Sequence, residues 1–346
     1  MKNTRIIVTH YGGPDALQVI EEDCPEPKRE EVRVKILAAG VSLPDVMARQ
    51  GFHPETPKVP FTPGWDLVGV VDRIGEGVSD IELGQTVAAM PIHGAYTQFI
   101  CLPQRELIPV PAGLDAADAV SLILNYITAY QTMHRAVHVA AGQRVLIHGA
   151  SGGVGTAQLQ LGRLAGLQMY GTCSARSASV VRELGGTPID YKQQDFVAEI
   201  RRLTVDGVDV VFDSIGGAHI WRSRQALRRG GRVVAYGMTG SVHSDKDSKR
   251  PARRQRLRPL ALFACYIAAS WILPGCRRVV PYSIQTLKRL KHAQFREDLM
   301  VLFDLLRERK IKPLVAQRLP LLEARRAQEM LQQGGVAGKI VLMPNG

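Results

Sequence analysis

The chain has 346 residues, 45% of them hydrophobic and 22% charged, with a formal net charge of +12. That length and balance describe a soluble globular protein with room for two cored domains. The positive charge does not indicate nucleic acid: aromatic residues are only 6% of the chain, and no zinc finger, basic zipper or aromatic-interleaved basic groove is present. The five cysteines (Cys24, Cys101, Cys173, Cys265, Cys276) are scattered without a CxxC spacing. Reduced thiols in a cytoplasmic setting are the expectation, not a disulfide framework or a structural zinc cluster.

In chain order, Met1–Val8 is too short in apolar residues for a signal peptide and reads as a first strand. Short alternating segments punctuated by Gly and Pro follow up to about Asn125, among them Glu31–Leu37, Leu67–Ile74 and Gln85–Met90. Such spacing predicts a β-rich, barrel-like domain. From Asn125 to about Ile284 the pattern changes to βα units. Strands are expected at Val145–Gly149, Gln168–Thr172, Pro188–Asp190, Val208–Asp213, Arg232–Tyr236 and Arg278–Ile284, as a doubly wound parallel sheet requires. Inside this region Lys246–Arg258 is a basic block, followed at once by the apolar run Pro259–Leu273. That run is about 15 residues long, short of the ~20 a spanning helix needs. It reads as a cleft-covering helix, with peripheral membrane contact through 246–273 as the alternative. Beyond it come a helix near Arg296–Lys310, a strand Leu314–Leu319, a helix Leu322–Gln332 and a strand Lys339–Met343. These pieces lack a core of their own, so the expected division is 1–124 with 286–346, and 125–285.

The most specific signal is Arg144–Gly155, where an apolar strand feeds the turn Gly149-Ala150-Ser151-Gly152-Gly153-Val154-Gly155 and a helix opens. Glycines there let a pyrophosphate approach the backbone, and the helix start offers unpaired N–H groups. Ser151, Gly152, Gly153, Val154 and Gly155 are therefore expected at a dinucleotide. An NAD-selective site would place an acid about 20 residues past the glycines. Here the second strand ends instead in Ser174 and Arg176, a hydroxyl and a guanidinium suited to a 2′-phosphate, so the expected cofactor is NADPH.

Several further segments carry a resemblance: Ala39–Asp45, Arg49-Gln50-Gly51, Pro63–Val71, Val78–Asp80, Asn125–Tyr130, Ile189–Tyr191, Asp213–Gly217 and Gly338–Leu342. With the glycine turn they resemble the medium-chain dehydrogenase/reductases, close to the zinc-independent quinone oxidoreductases and the vesicle amine transport protein-like branch. The resemblance covers nearly the whole chain. It implies a GroES-like catalytic domain split around a Rossmann domain, with NADPH and a small-molecule substrate in the cleft between them. It further implies that Tyr191 joins Ser174 and Arg176 at the 2′-phosphate. Tyr126, Thr128, Ser214, Gly216, Tyr236, Gly237 and Lys339 are the remaining expected cofactor contacts. Relatives pair the edge that Arg278–Ile284 would form, so a homodimer is expected.

Departures from the family pattern narrow the chemistry. Zinc-dependent members place cysteine where Ser42 stands and histidine-glutamate where Trp65-Asp66 stand. Zinc needs three or four N/S/O ligands in tetrahedral array, and His93, His134, His138 and His148 show no ligand spacing, so no metal is expected. Some enoyl reductases carry a tyrosine proton donor near Phe52, which cannot donate; His53 beside it could substitute, though an exposed histidine in a Pro-rich loop is the preferred reading. The remaining chemistry is hydride delivery to a quinone or α,β-unsaturated carbonyl, with Ser42, Asp45 and Asn125 as the candidate polar groups near the nicotinamide, each alternatively a capping or turn residue. A membrane- or lipid-associated protein that holds NADPH with little turnover is the alternative.

Overall fold

The structure is a computed structural model in which residues 1–241 and 277–345 are described. The basic block and apolar run at 246–273 lie outside them, so neither expectation for that segment is addressed. The strands are β1 (Lys2–Val8), β2 (Leu17–Asp23), β3 (Glu31–Val41), β4 (Leu67–Ile74), β5 (Thr86–Ala89), β6 (Phe99–Pro103) and β7 (Ile108–Pro109). They continue as β8 (Arg144–His148), β9 (Gln168–Cys173), β10 (Gly186–Asp190), β11 (Val208–Asp213), β12 (Leu227–Ala235), β13 (Arg278–Pro281), β14 (Val315–Pro320) and β15 (Lys339–Met343). The helices that matter below are α1 (Leu43–Arg49), α2 (Ala116–Ser121), α3 (Ile127–Tyr130), α4 (Gly153–Leu164), α5 (Ala178–Glu183), α6 (Phe196–Thr204), α7 (His219–Gln225), α8 (Ile284–Leu290), α9 (His292–Arg307) and α10 (Ala324–Gln333).

The chain is α/β in two parts, as its patterning requires. A mainly antiparallel sheet runs β14-β15-β3-β4-β5-β7, with β6 also on β3, and the hairpin β1-β2 stands beside it. Alternation buries Val32, Val34, Ile36 and Ala38 along β3, the signature of a strand with one face on a core. The second sheet is parallel, in the order β10-β9-β8-β11-β12-β13. This is the doubly wound order, with its switch point between β8 and β11, where such sheets bind ligands outside the carboxyl ends of the strands. Its central strands read as continuous apolar runs: Val208–Asp213 is buried throughout, because helices cover both faces.

Three sequence expectations shift. The strand expected to reach Ile284 ends at Pro281; Ser283 instead caps α8, its hydroxyl accepting from Thr286 N. Tyr282 then turns inward and donates to Gln131 Oε1 at 2.9 Å. The helix expected from Arg296 begins at His292. It buries Phe295, Leu299, Leu302 and Phe303 in the same cluster as Ile147 and Leu159 of the parallel-sheet half. Its buried Asp298 accepts from Gln131 Nε2 at 2.8 Å and Arg135 NH2 at 2.7 Å, while Arg296 donates to Leu107 O at 2.7 Å. α9 therefore bridges the two halves and does not belong to the β-rich one alone. The return of the chain to the first sheet comes from β15, which pairs antiparallel with β3.

Candidate active site

Strand β8 leads into the glycine turn, and α4 starts from Gly152, whose backbone is extended (φ −75°, ψ 177°). Residues 151–154 are only partly covered, so the first N–H groups of α4 face the cleft. The three glycines do different things. A Cβ on Gly155 would fall 2.6 Å from Ala150 Cα and closer still to Gly149 O, so this glycine lets the helix approach its own strand. A Cβ on Gly152 would meet only Gly149 O, at 3.3 Å, leaving this position free for a phosphate to approach. A Cβ on Gly153 would collide with the Asn125 amide, which places that amide directly against the turn. Gly338 joins from the other half: its N–H donates to Ser151 O at 2.9 Å, bridging β15 to the turn.

The other expected cofactor residues gather at neighbouring strand ends. Ser174 follows β9 and precedes the exposed Arg176, and the Tyr191 N–H donates to Cys173 O at 3.3 Å, setting Tyr191 beside Ser174. Tyr191 is 58% exposed. Ser214 follows β11; its hydroxyl donates to His148 O at 3.2 Å, and its carbonyl accepts from Thr239 N and Oγ1, both at 3.0 Å. Gly237, after β12, comes so close that a Cβ would lie 2.9 Å from Ser214 C. Tyr236 is partly covered, its hydroxyl donating to Gln158 Oε1 at 3.5 Å, and burial raises its pKa. Gly216 lies in the turn between β11 and α7.

Three expected contacts are turned away. Tyr126 is 2% exposed, with its hydroxyl buried and unpartnered, so its ring belongs to the core. Thr128 is 5% exposed, and its side chain hydrogen-bonds to buried Tyr282. Lys339 is 3% exposed, with Nζ donating to Asp66 Oδ2 at 2.7 Å.

Ser42 and Asp45 form the capping box of α1. Asp45 Oδ2 accepts from Ser42 N at 2.9 Å and Ser42 Oγ at 2.6 Å, and its Oδ1 accepts from Gly64 N at 2.8 Å. Burial pushes the Asp45 carboxyl up to about 7, against the downward pull of these hydrogen bonds. Both side chains thus fix the helix start. Beyond α1, in the loop that follows it, His53 is partly buried. Its Nδ1 accepts from Glu55 N at 3.2 Å, which leaves Nε2 to carry the hydrogen. Burial pushes it down to about 4, with His93 adding to the effect, so it is neutral near pH 7. It packs edge-on to Trp65 (centroids 5.2 Å, 83°), with His93 and Phe61 behind.

Sequence reasoning also missed a polar cluster behind the glycine turn. His148, judged to be without ligand spacing, lies with Asp213 and His219, their ligand atoms all within 4.8 Å of one another. Ser223 completes the group. No sequence motif joins positions so far apart; the parallel pairing of β8 with β11 brings them together.

Two family models match: the alcohol dehydrogenase GroES-like domain over residues 28–112 and the zinc-binding dehydrogenase domain over residues 184–342. The synaptic vesicle membrane protein VAT-1 homolog of Rattus norvegicus is 31% identical over 345 residues, covering 98% of this chain and 83% of that protein. The quinone oxidoreductase of the same species is 27% identical, covering 98% and 97%. Among solved structures, Escherichia coli quinone oxidoreductase complexed with NADPH superposes with a TM-score of 0.83 at 27% identity, covering 99% of this chain and 100% of that one. The zinc that one of these names implies does not fit the positions expected for it. Ser42 is committed to Asp45, Trp65 offers no lone pair, and Asp66 is ion-paired with Lys339, which leaves no tetrahedral donor set. From the matched models and the full-length relatives, the chain belongs to the medium-chain dehydrogenase/reductase family.

Proposed function

We propose that the protein is a zinc-independent reductase that uses NADPH to reduce a quinone or an α,β-unsaturated carbonyl. The observation that carries this reading is the open glycine turn at the start of α4, flanked by Ser174, Arg176 and Tyr191 at the adjoining strand ends. NADPH, when bound, supplies the hydride. The N–H groups at the start of α4 and the Asn125 amide hold the pyrophosphate side. Arg176, with the Ser174 and Tyr191 hydroxyls, binds the 2′-phosphate and so selects NADPH over NADH. On the acceptor side the neutral His53 Nε2–H donates a hydrogen bond to the carbonyl oxygen on which negative charge builds. Because the ring is neutral near pH 7 it has no imidazolium proton to give, so it hydrogen-bonds to that oxygen and water protonates the product. Alcohol oxidation is disfavoured, because the residues at the zinc position supply no Lewis acid.

Steady-state NADPH oxidation against a panel of quinones, enones and simple aldehydes tests the reading. Turnover with quinones or enones and none with aldehydes is expected; no turnover with any acceptor refutes it. A second reading, a membrane-associated NADPH-binding protein with little turnover, is favoured by the likeness to VAT-1 homologues, which are named as vesicle membrane proteins. Among the described residues no helix is long and apolar enough to cross a membrane. Co-sedimentation with anionic vesicles, without quinone turnover, would favour that second reading.

A further inference from the structure

The hydrogen-bond cluster behind the glycine turn has a definite internal order. Asp213 is fully buried, and among the described residues no lysine or arginine reaches its carboxylate. Its Oδ1 accepts from Ile215 N at 2.8 Å and Gly216 N at 2.9 Å. Its Oδ2 accepts from Ser223 Oγ at 2.6 Å and from His219 Nδ1 at 3.0 Å. Ser223 Oγ in turn lies 3.1 Å from His148 Nε2 and 3.4 Å from His219 Nδ1. Four donor atoms, two imidazole nitrogens and two oxygens, therefore share one small volume and enclose one net negative charge when both imidazoles are neutral.

We propose that His148, Asp213, His219 and Ser223 form a binding site for a zinc-class divalent ion behind the glycine turn. A tetrahedral zinc ion with bonds of about 2.0–2.2 Å needs its ligand atoms roughly 3.3–3.5 Å apart. Four of the six separations are 2.6, 3.0, 3.1 and 3.4 Å, and the His148, Asp213 and His219 ligand atoms all lie within 4.8 Å of one another, so the ion would enter as the Ser223–Asp213 contact opens by roughly 0.7 Å. The outer contacts match what metal ligands require. His148 Nδ1 is held by Thr172 Oγ1 at 3.0 Å, which orients Nε2 inward, and Asp213 Oδ1 is fixed by its two backbone donors. Phe196 walls the cluster, stacked on His219 (5.2 Å, 30°) and edge-on to His148 (4.7 Å, 78°). The His219 side chain is 20% exposed and that of Asp213 is buried, so His219 is the partner on the solvent side. The nearest cation, Arg222, is drawn off by Asp195 and lies over the Phe196 ring at 4.8 Å. Ligands from the ends of β8 and β11 and from one turn of α7 would let the ion clamp the loop that carries Ser214 and Gly216. None of these residues occupies a position where zinc-dependent relatives hold their metal, and the proposal does not depend on the reductase reading.

The test uses the full chain, stripped with a chelator and titrated with Zn²⁺ alone against a chelating dye. One ion per chain is expected, with a dissociation constant of about 1 µM or tighter, together with a rise in thermal midpoint. Co²⁺ in its place should give the intense visible bands of a tetrahedral site. His219→Leu, on a partly exposed helix face, should weaken binding more than about 100-fold and abolish the thermal shift, whereas exposed His138→Ala should leave both unchanged. Absence of a tight equivalent, or tight binding that His219→Leu leaves intact, overturns the proposal and leaves a hydrogen-bond network alone.

Discussion

Replacing Lys339 by methionine removes the ammonium that faces Asp66 across 2.7 Å, where the two side chains are 3% and 0% exposed. At an effective dielectric near 20, two unit charges at that distance attract by about 6 kcal/mol. Most of that attraction offsets the desolvation of two buried ions, so the pair's net contribution is small. The single substitution is another matter. Asp66 Oδ1 has no hydrogen-bond partner, so Lys339 is what compensates the carboxylate. Left alone, it should cost about 3–5 kcal/mol. The double variant Asp66→Asn, Lys339→Met removes both charges and should recover most of that loss. Urea unfolding of wild type, both single variants and the double variant measures the coupling. NADPH titration of each folded variant separates stability from binding. A Lys339→Met stability loss below about 1 kcal/mol, with NADPH affinity falling instead, would refute the structural role and restore the lysine to the cofactor.

The glycine turn separates ligand contact from folding: Gly152→Val should abolish NADPH binding by calorimetry with the thermal midpoint nearly unchanged, whereas Gly155→Val should destabilise the fold, because its Cβ meets backbone. Arg176→Ala should weaken NADPH about ten- to a hundredfold and leave NADH unaffected; equal losses for both would place the arginine elsewhere. Asp45 carries a pH signature. Its folded carboxyl is raised to about 7 by burial, so it favours folding at pH values below its unfolded range near 4, and that contribution fades as pH rises to 7. The stability of wild type relative to Asp45→Asn should therefore fall by up to about 1.4 kcal/mol per pH unit across that window; a flat difference from pH 4 to 8 would show the carboxyl to be ionised throughout. Light scattering at micromolar concentration should give twice the chain mass, and a monomer there would refute the expected homodimer.

What the sequence determined by itself is what short-range physics encodes. The passage from apolar strand to glycine turn to amphipathic helix at Arg144–Leu164 depends on residues within a few positions of one another, and it appears in the structure with β8 shifted by one residue and with α4 starting at Gly153, inside the turn, three residues before the helical run expected from Thr156. The lack of an acid after β9, and the serine and arginine in its place, were legible for the same reason. The sequence reading of Ser42 and Asp45 left a catalytic and a capping role both open, because a capping box and a polar catalytic pair look alike until Gly64 N is seen to occupy the second carboxylate oxygen. Tertiary structure alone decided the rest. Asp66 and Lys339 are separated by 273 positions, and His148 and Ser223 by 75. No periodicity links such positions; only the pairing of β15 with β3 and of β11 with β8 brings them together. Burial is equally a product of packing. It turned Tyr126 from an expected cofactor contact into core, and it drew His53 from an expected surface loop into a neutral donor against Trp65, because a side chain's charge and exposure follow from its neighbours in space, not in sequence.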